Sequence, residues 1–164
     1  MRASFALAFA FAFLSGCKSS VTGTPPSEKE YDITAVFSLS DTDNGGETRF
    51  RAGDNFDLSF VMVNRTADTL YYDVTGPPPV VFTITHKCSV VASSVDGYGF
   101  IQIVKRKTFL PGDTLQARWR APTTPAQKPR VRLVQGVYNA GVTFPTFPGR
   151  TVSPIEPIPF AVDN

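Results

Sequence analysis

The feature of this 164-residue sequence that most constrains its fold is a two-residue alternation of apolar and polar side chains. The alternation is clearest at residues 56–62 (FDLSFVM), where every second side chain is large and apolar. Successive side chains of a β-strand point to opposite faces, so this pattern predicts a strand with one buried face. Nowhere do apolar residues recur at helical spacing over a dozen positions, and we therefore predict no sizeable helix.

Turn-forming residues divide the chain into short segments. Its 14 prolines and 12 glycines are scattered along the sequence, which disfavours long helices and favours short strands joined by turns. The predicted strands include residues 69–75, 80–86, 88–92, 100–104 and 131–135. Many short strands with frequent turn signals indicate an antiparallel sandwich or barrel, and the sandwich is favoured. We therefore predict an all-β antiparallel sandwich of about seven to nine strands over residues 30–164.

The N-terminal residues 1–16 have the composition of a cleaved signal peptide. Arg2 supplies a positive charge, and residues 3–14 form an unbroken run of mostly apolar side chains. A helix of about 12 residues spans roughly 18 Å, well short of the roughly 30 Å hydrocarbon core of a bilayer. The segment is therefore too short for a transmembrane anchor and is typical of a secretory signal.

The end of this segment looks like a bacterial lipobox. An aliphatic residue and two small residues precede a cysteine, in the order Leu14, Ser15, Gly16 and Cys17. In such a motif the Cys17 thiol carries a diacylglycerol thioether, and two or three acyl chains anchor a protein firmly to a membrane. The alternative is an ordinary secretory peptide in which a cysteine lies near the cleavage site by chance.

Residues 17–29 predict a lipid-anchored flexible tether, because they are rich in Ser, Thr and Pro and have few apolar side chains. The expected location of the protein is the cell envelope. In the lipoproteins that the motif resembles, Asp after the cysteine favours retention in the inner membrane. Here the residue is Lys18, so we expect the outer membrane if the organism has two membranes.

The composition excludes several classes of site. One histidine and two cysteines are too few for a zinc site built from those residues, and we predict neither a metal site nor a cofactor. A formal charge of +2 does not predict nucleic-acid binding, which usually needs a concentrated basic excess. His86 and Cys88 could share a strand face, but no nucleophile turn or oxyanion site is evident in the sequence. We interpret Cys88 as buried and inert, and we predict no enzymatic activity.

Four arginines form the first candidate binding site. Arg118 and Arg120 follow the alternation of a strand face, as do Arg130 and Arg132, which could place four guanidinium groups on one sheet surface. Such a surface could bind anionic lipid, an acidic partner or a polysaccharide. The alternative is a solvated sheet face whose charges protect against aggregation at the sheet edge.

The second candidate site is a rigid proline loop formed by Pro77, Pro78 and Pro79. Polyproline segments bind partners at low entropic cost, because their backbone is already restricted. The apolar segment at residues 144–148 (FPTFP) has a similar character. The alternative for both segments is that they cover the open ends of the sandwich.

Four short motifs occur in a defined order along the chain. They are FDLSFVMVN at 56–64 followed by DTL at 68–70, LPGDTL at 110–115 followed by Trp119, QGVY at 135–138, and VSP at 152–154 with PFAV at 159–162. In this order they resemble motifs of small bacterial immunoglobulin-like domains, and the nearest named relative is the bacterial intracellular proteinase inhibitor family. The resemblance covers about residues 50–162 and implies an immunoglobulin-like antiparallel β-sandwich. The chain departs from that family in its export signal and in residues 76–109.

We therefore expect a lipid-anchored envelope protein whose β-sandwich mediates protein–protein interaction or has a structural role. Its expected partners are the membrane, through the N-terminal lipid, and an envelope protein. The first alternative is a surface proteinase inhibitor, which the resemblance implies, with loops 76–79 and 121–129 as candidates for protease contact. The second alternative is a carbohydrate-binding module. The sequence leaves the partner's identity and the oligomeric state open.

Overall fold

The computed structural model describes residues 30–41, 48–127 and 130–164. The predicted signal peptide, the lipobox with Cys17 and the tether lie outside the described residues. The described part of the chain contains no helix, and so none that is long and apolar enough to cross a membrane. Its regular structure consists of β-strands, as the two-residue alternation predicts.

The described residues form ten strands, which we number in chain order. They are β1 (Ile33–Asp41), β2 (Arg49–Arg51), β3 (Phe56–Asn64), β4 (Leu70–Thr75), β5 (Val81–His86), β6 (Ser89–Ser93), β7 (Val104–Phe109), β8 (Thr114–Ala121), β9 (Gly136–Thr143) and β10 (Ile158–Asp163). This is more than the seven to nine that the sequence predicts. The unexpected strand β2 has three residues, too few for an alternation of side chains to reveal it.

The strands form three sheets. The first has the order β1-β3-β8, the second has the order β2-β10-β9-β5-β6, and the third is the pair β4-β7. Every pair is antiparallel except β2 and β10, which are parallel and depart in this respect from the prediction. The all-β prediction is confirmed, and the arrangement is consistent with a β-sandwich.

The core lies between the apolar faces of the two larger sheets. On β3 the alternating apolar side chains of residues 56–62 are buried, as the sequence predicts. The ring centroid of Phe56 lies 4.6 Å from that of Phe50 and 5.0 Å from that of Phe160. Because Phe50 lies on β2 and Phe160 on β10, these aromatic contacts join the three-stranded sheet to the five-stranded sheet.

The predicted strand at residues 100–104 is wrong, and the reason lies in its partner strand. The observed strand β7 pairs with β4, from Phe109 opposite Leu70 to Val104 opposite Thr75. β4 ends at Thr75, just before prolines that cannot donate hydrogen bonds to a ladder. Residues 100–103 therefore lie beyond the ladder, and Ile101 is 80% exposed.

Two further predicted strands also differ from the structure. The hairpin between β5 and β6 turns at Lys87 and Cys88, which both have positive φ, so β6 begins at Ser89. Residues 131–135 form no strand. In that segment Leu133 is buried while its neighbours are exposed or half-buried. The alternation of apolar and polar side chains there therefore reflects the packing of one side of the segment against the core, without hydrogen bonds to a partner strand.

The start of β1 is hydrogen-bonded to a segment near the end of the chain. Ile33 bridges to Val152, and the Asp32 carboxylate accepts hydrogen bonds from the backbone N–H and the hydroxyl group of Thr151, at 2.8 and 2.9 Å. These hydrogen bonds, the backbone one above all, lower the pKa of Asp32 below its usual value. The contact therefore stabilises the fold at neutral pH, and this contribution is lost as the pH falls through the lowered pKa.

Candidate functional site

A cleft of about 830 Å³ lies beside strand β8. We call it the arginine cleft, because all four arginines of the first predicted site line it. They are Arg118, Arg120, Arg130 and Arg132. The other lining residues are Gly53, Asn55, Pro78, Val80, Phe82, Ser94, Tyr98, Ala117, Trp119, Pro122, Thr123, Thr124, Pro125, Gln127 and Val131.

The cleft follows the outer edge of β8. Four consecutive residues of that strand, 117–120, line it. Successive side chains of a strand point to opposite faces of the sheet, so a cavity that contacts all four has to run along the edge of the strand. On its other edge β8 pairs with β3, from Ala121 opposite Phe56 to Thr114 opposite Val63.

The four arginines reach the cleft from two different kinds of segment. Arg118 and Arg120 lie on a strand, as predicted, but Arg130 and Arg132 lie outside any strand. The expectation that one sheet surface carries all four is therefore wrong. The sequence pattern selects residues that meet at one site, although it misassigns the structure of the second pair.

Arg118 is bound to a carboxylate on the neighbouring strand. Its Nη2 donates a hydrogen bond of 2.7 Å to Oδ2 of Asp57 on β3. The Asp57 side chain is 7% exposed and that of Arg118 is 71% exposed, so the arginine pairs with a carboxylate that is largely removed from water. This hydrogen bond raises the pKa of the Arg118 guanidinium above its usual value. Arg118 therefore has a structural role as well as a place in the cleft.

The other three arginines give the cleft an uncompensated positive charge. Arg120, Arg130 and Arg132 are exposed, and within residues 30–41, 48–127 and 130–164 no acidic side chain forms an ion pair with any of them. The described lining of the cleft includes no aspartate or glutamate. A concave site lined by charges of one sign concentrates its electric field and attracts ligands of the opposite charge. The cleft is therefore suited to an anionic ligand.

Two residues that line the cleft each have a buried polar atom without a hydrogen-bond partner among the residues that the structure describes. The two atoms are Nε1 of Trp119 and Oε1 of Gln127. Trp119 as a whole is 6% exposed. A buried donor or acceptor without a partner costs about 1–3 kcal/mol. Both atoms are removed from the accessible surface, so this cost lowers the stability of the fold.

Apolar residues and prolines contribute the remaining surface of the cleft. Val80 and Phe82 are buried; Val80 directly precedes β5 of the opposite sheet, and Phe82 lies in it. Of the predicted proline site, Pro78 lines the cleft, whereas Pro77 is exposed and Pro79 is half-buried outside the lining. The two binding sites that the sequence predicts separately therefore meet at one place through Pro78.

The apolar segment at residues 144–148 belongs to the core. The Phe147 side chain is 5% exposed, and its ring centroid lies 5.7 Å from that of Phe109. The Phe144 ring stacks on Phe60 at a centroid distance of 4.9 Å. Of the two alternatives for this segment, the structure therefore favours the one in which it covers part of the sandwich.

His86 and Cys88 do not form a dyad on a common strand face. Cys88 lies in the hairpin turn with φ of 65° and is exposed, so the interpretation of Cys88 as buried is wrong. The Nδ1 atom of His86 donates a hydrogen bond of 2.9 Å to the carbonyl oxygen of Val137. In the part of the chain that the structure describes, no three His, Cys, Asp or Glu side chains are grouped to hold a metal ion.

Replacing Arg118 with alanine should destabilise the domain more than the same change at Arg120. Both residues are exposed on β8, but Arg118 is the one hydrogen-bonded to Asp57, whose carboxylate would otherwise stay buried without its cation. We expect Arg118→Ala to lower the melting temperature at pH 7 by several degrees, and Arg120→Ala to leave it nearly unchanged. Adding Asp57→Asn to Arg118→Ala should restore part of the loss. Equal melting temperatures of the two single variants would show that the ion pair adds no stability.

Comparison with known proteins does not assign a function to the arginine cleft. The chain matches no protein-family model, and no curated protein is significantly similar to it. Its function is therefore inferred from the geometry and charge of its own residues.

Proposed function

We propose that this protein is a lipid-anchored, non-enzymatic component of the cell envelope whose β-sandwich binds an acidic partner protein in the arginine cleft. In this proposal Cys17 carries the lipid, residues 17–29 are the tether, and the sandwich has the immunoglobulin-like arrangement that the motif resemblance implies. The partners are the membrane, through the lipid, and one protein of the envelope. Nucleic acid is not a partner.

The observation that carries this proposal is the composition of the cleft. Its described lining holds four arginines and no acidic residue, although the whole protein has a formal charge of only +2. The positive charge is thus concentrated at one concave site beside apolar and aromatic side chains. Arginine and aromatic residues are the types most enriched at the energetic centres of protein interfaces. An acidic protein surface with apolar contacts is the complement of this site.

The N-terminal sequence supports the envelope location. About 12 residues of flexible chain have an r.m.s. span near 20 Å and stretch to about 40 Å, so a tether of this length holds the body clear of the lipid headgroups. Each buried methylene of an acyl chain contributes about 0.8 kcal/mol to membrane binding. Attachment at Cys17 would therefore hold the cleft near the membrane while leaving it accessible to a partner.

Membrane fractionation of the wild type and Cys17→Ser tests the anchor. We expect the wild type in the membrane fraction, with an intact mass that lacks residues 1–16 and includes acyl chains. Cys17→Ser should carry no acyl chains and should leave the membrane fraction. A wild-type protein that retains Met1 and carries no lipid would contradict the proposed location.

Cross-linking in intact cells tests the cleft. The test variant combines Arg130→Glu with Arg132→Glu, and the matched control combines Lys105→Glu with Lys107→Glu. The control makes the same change in charge at exposed residues of β7 that do not line the cleft. We expect a defined acidic envelope protein to be cross-linked by the wild type and the control but not by the test variant. If the test variant keeps the partner, the cleft is not the binding site.

A further inference from the structure

Strand β8 has one edge that is free to pair with another strand. It pairs with β3 on one side, and no second strand pairs with it in the described parts of the chain. Along a strand, alternate residues direct their backbone N–H and C=O groups to opposite edges. The outer edge of β8 therefore presents donors and acceptors in the spacing that one more strand requires.

The free edge and the arginine cleft are the same place. Residues 117–120 of β8 all line the cleft, which is why the cleft has to follow the strand edge. Four strand residues extend about 13 Å at roughly 3.3 Å per residue. The cleft therefore exposes enough of the edge for a segment of about four to six residues in extended conformation.

The free strand edge restricts the chemistry of the ligand. The outer edge of β8 presents both N–H donors, which need acceptors, and C=O acceptors, which need donors. A fully ionised phosphate, sulfate or carboxylate group offers acceptors only. A polypeptide offers both at every residue except proline, and it is also the ligand that can pair with a strand edge.

The two faces of β8 specify the side chains of an added strand. Arg118 and Arg120 lie on the face that points away from the core, and Ala117 and Trp119 lie on the face toward it. Side chains on an added strand would alternate between these faces. Acidic side chains would meet the arginines, and apolar side chains would meet Trp119 and the apolar lining of the cleft.

We infer that the arginine cleft binds an extended segment of alternating acidic and apolar residues, which adds to the outer edge of β8 as an extra strand. This inference rests on the proposed function, because the segment belongs to the acidic partner protein. Backbone hydrogen bonds to β8 supply affinity, and the arginines and the apolar lining select the sequence. Arg130 and Arg132, which line the cleft from outside the sheet, add positive charge that attracts the acidic side chains.

Synthetic peptides test the charge and the pattern. The peptides are an eight-residue alternation of Glu and Val and the matching alternation of Lys and Val, both capped and fluorescently labelled, with the purified full chain as receptor. We expect saturable binding of the acidic peptide by fluorescence anisotropy, and binding of the basic peptide at least about tenfold weaker, since each factor of ten is about 1.4 kcal/mol. The chain has one tryptophan, Trp119, so unlabelled acidic peptide should also change its emission spectrum. Absence of binding by the acidic peptide would overturn the inference.

N-methylation tests whether the peptide pairs as a strand. One acidic peptide is methylated on the backbone nitrogen of every Glu, and a second on that of every Val. Alternate N–H groups point to opposite edges, so one methylation pattern blocks pairing with β8 and the other faces solvent. We expect one peptide to lose at least about tenfold in affinity and the other to bind like the parent. Equal affinities of the two methylated peptides would exclude strand addition.

Protein variants locate the binding in the cleft. Arg130→Glu with Arg132→Glu should abolish binding, and Lys105→Glu with Lys107→Glu should not. Binding of dextran sulfate with no binding of the acidic peptide would make the ligand an anionic glycan and overturn the inference. If cross-linking in cells depends on Arg130 and Arg132 but the methylated peptides bind equally, the proposed function stands and strand addition fails.

Discussion

Replacing Phe56 with alanine is expected to lower the free energy of unfolding by about 3–5 kcal/mol. Phe56 is 1% exposed, and its ring contacts Phe50 and Phe160 of the opposite sheet. The substitution therefore removes apolar burial, leaves a cavity and weakens the contact between the two larger sheets. Single domains have a total stability of about 5–15 kcal/mol, so the loss is a large part of it. Denaturation of the purified protein by urea measures the change.

Val36→Ala is the control for Phe56→Ala. Val36 lies on β1 of the same sheet, but it is 62% exposed and points away from the core. We expect this substitution to change the free energy of unfolding by less than about 0.5 kcal/mol, as for most surface positions. A loss below about 1 kcal/mol for Phe56→Ala would mean that the aromatic contacts do not hold the sheets together.

The strands that the sequence predicts well are those with one face buried and a partner along their whole length. Residues 56–62 are the best example, because β3 lies between β1 and β8 and its alternate side chains enter the core. Residues 100–104 are the counterexample, because their apolar character is local whereas their pairing depends on where β4 ends. A single sequence records side-chain polarity but not the availability of a partner strand.

The candidate site is predictable in its charges but not in its shape. The alternation of arginines identifies the four that line the cleft, and the proline run identifies Pro78. No sequence signal indicates that Trp119 and Gln127 would be left without hydrogen-bond partners, because such a partner can come from any part of the folded chain. The sequence also does not predict which edge of β8 stays unpaired within the described residues, because strand pairing joins residues that are distant along the chain.

A buried amide at the end of β3 shows how local sequence can mislead. Asn64 and Thr66 fit the pattern of a glycosylation acceptor, yet Asn64 is 1% exposed and both hydrogens of its Nδ2 are used in hydrogen bonds. That nitrogen donates hydrogen bonds to the carbonyl oxygens of Asp68, at 2.9 Å, and Phe109, at 3.0 Å. Its Oδ1 accepts hydrogen bonds from the backbone N–H and the hydroxyl group of Thr66, at 3.0 and 2.7 Å. Asn64 thus ties β3 to the turn that follows it and to the end of β7.

Replacing Asn64 with aspartate is expected to cost about 3–5 kcal/mol of unfolding free energy at pH 7, although the side chain keeps its size. The change replaces the nitrogen that donates to two carbonyl oxygens with an oxygen that can only accept, and it buries a negative charge. Both effects disfavour the ionised form, so the pKa of the new carboxyl group should rise above the unfolded value of about 3.9. The folded variant then binds a proton more readily than the unfolded one. The part of the penalty that comes from ionisation is complete above the raised pKa, shrinks as the pH falls from the raised pKa to the unfolded value, and is absent at lower pH.

The pH dependence separates this mechanism from a simple loss of packing. We would measure urea denaturation of the wild type and Asn64→Asp at pH 7 and near pH 3, and compare the difference between the two proteins at each pH. Asn139→Asp, at an exposed position on β9, introduces the same charge without burial and should cost little at either pH. A penalty for Asn64→Asp that is equal at both pH values would show that the buried charge contributes nothing. In that case the lost hydrogen bonds to Asp68 and Phe109 would account for the whole effect, because a protonated carboxyl group can restore at most one of them.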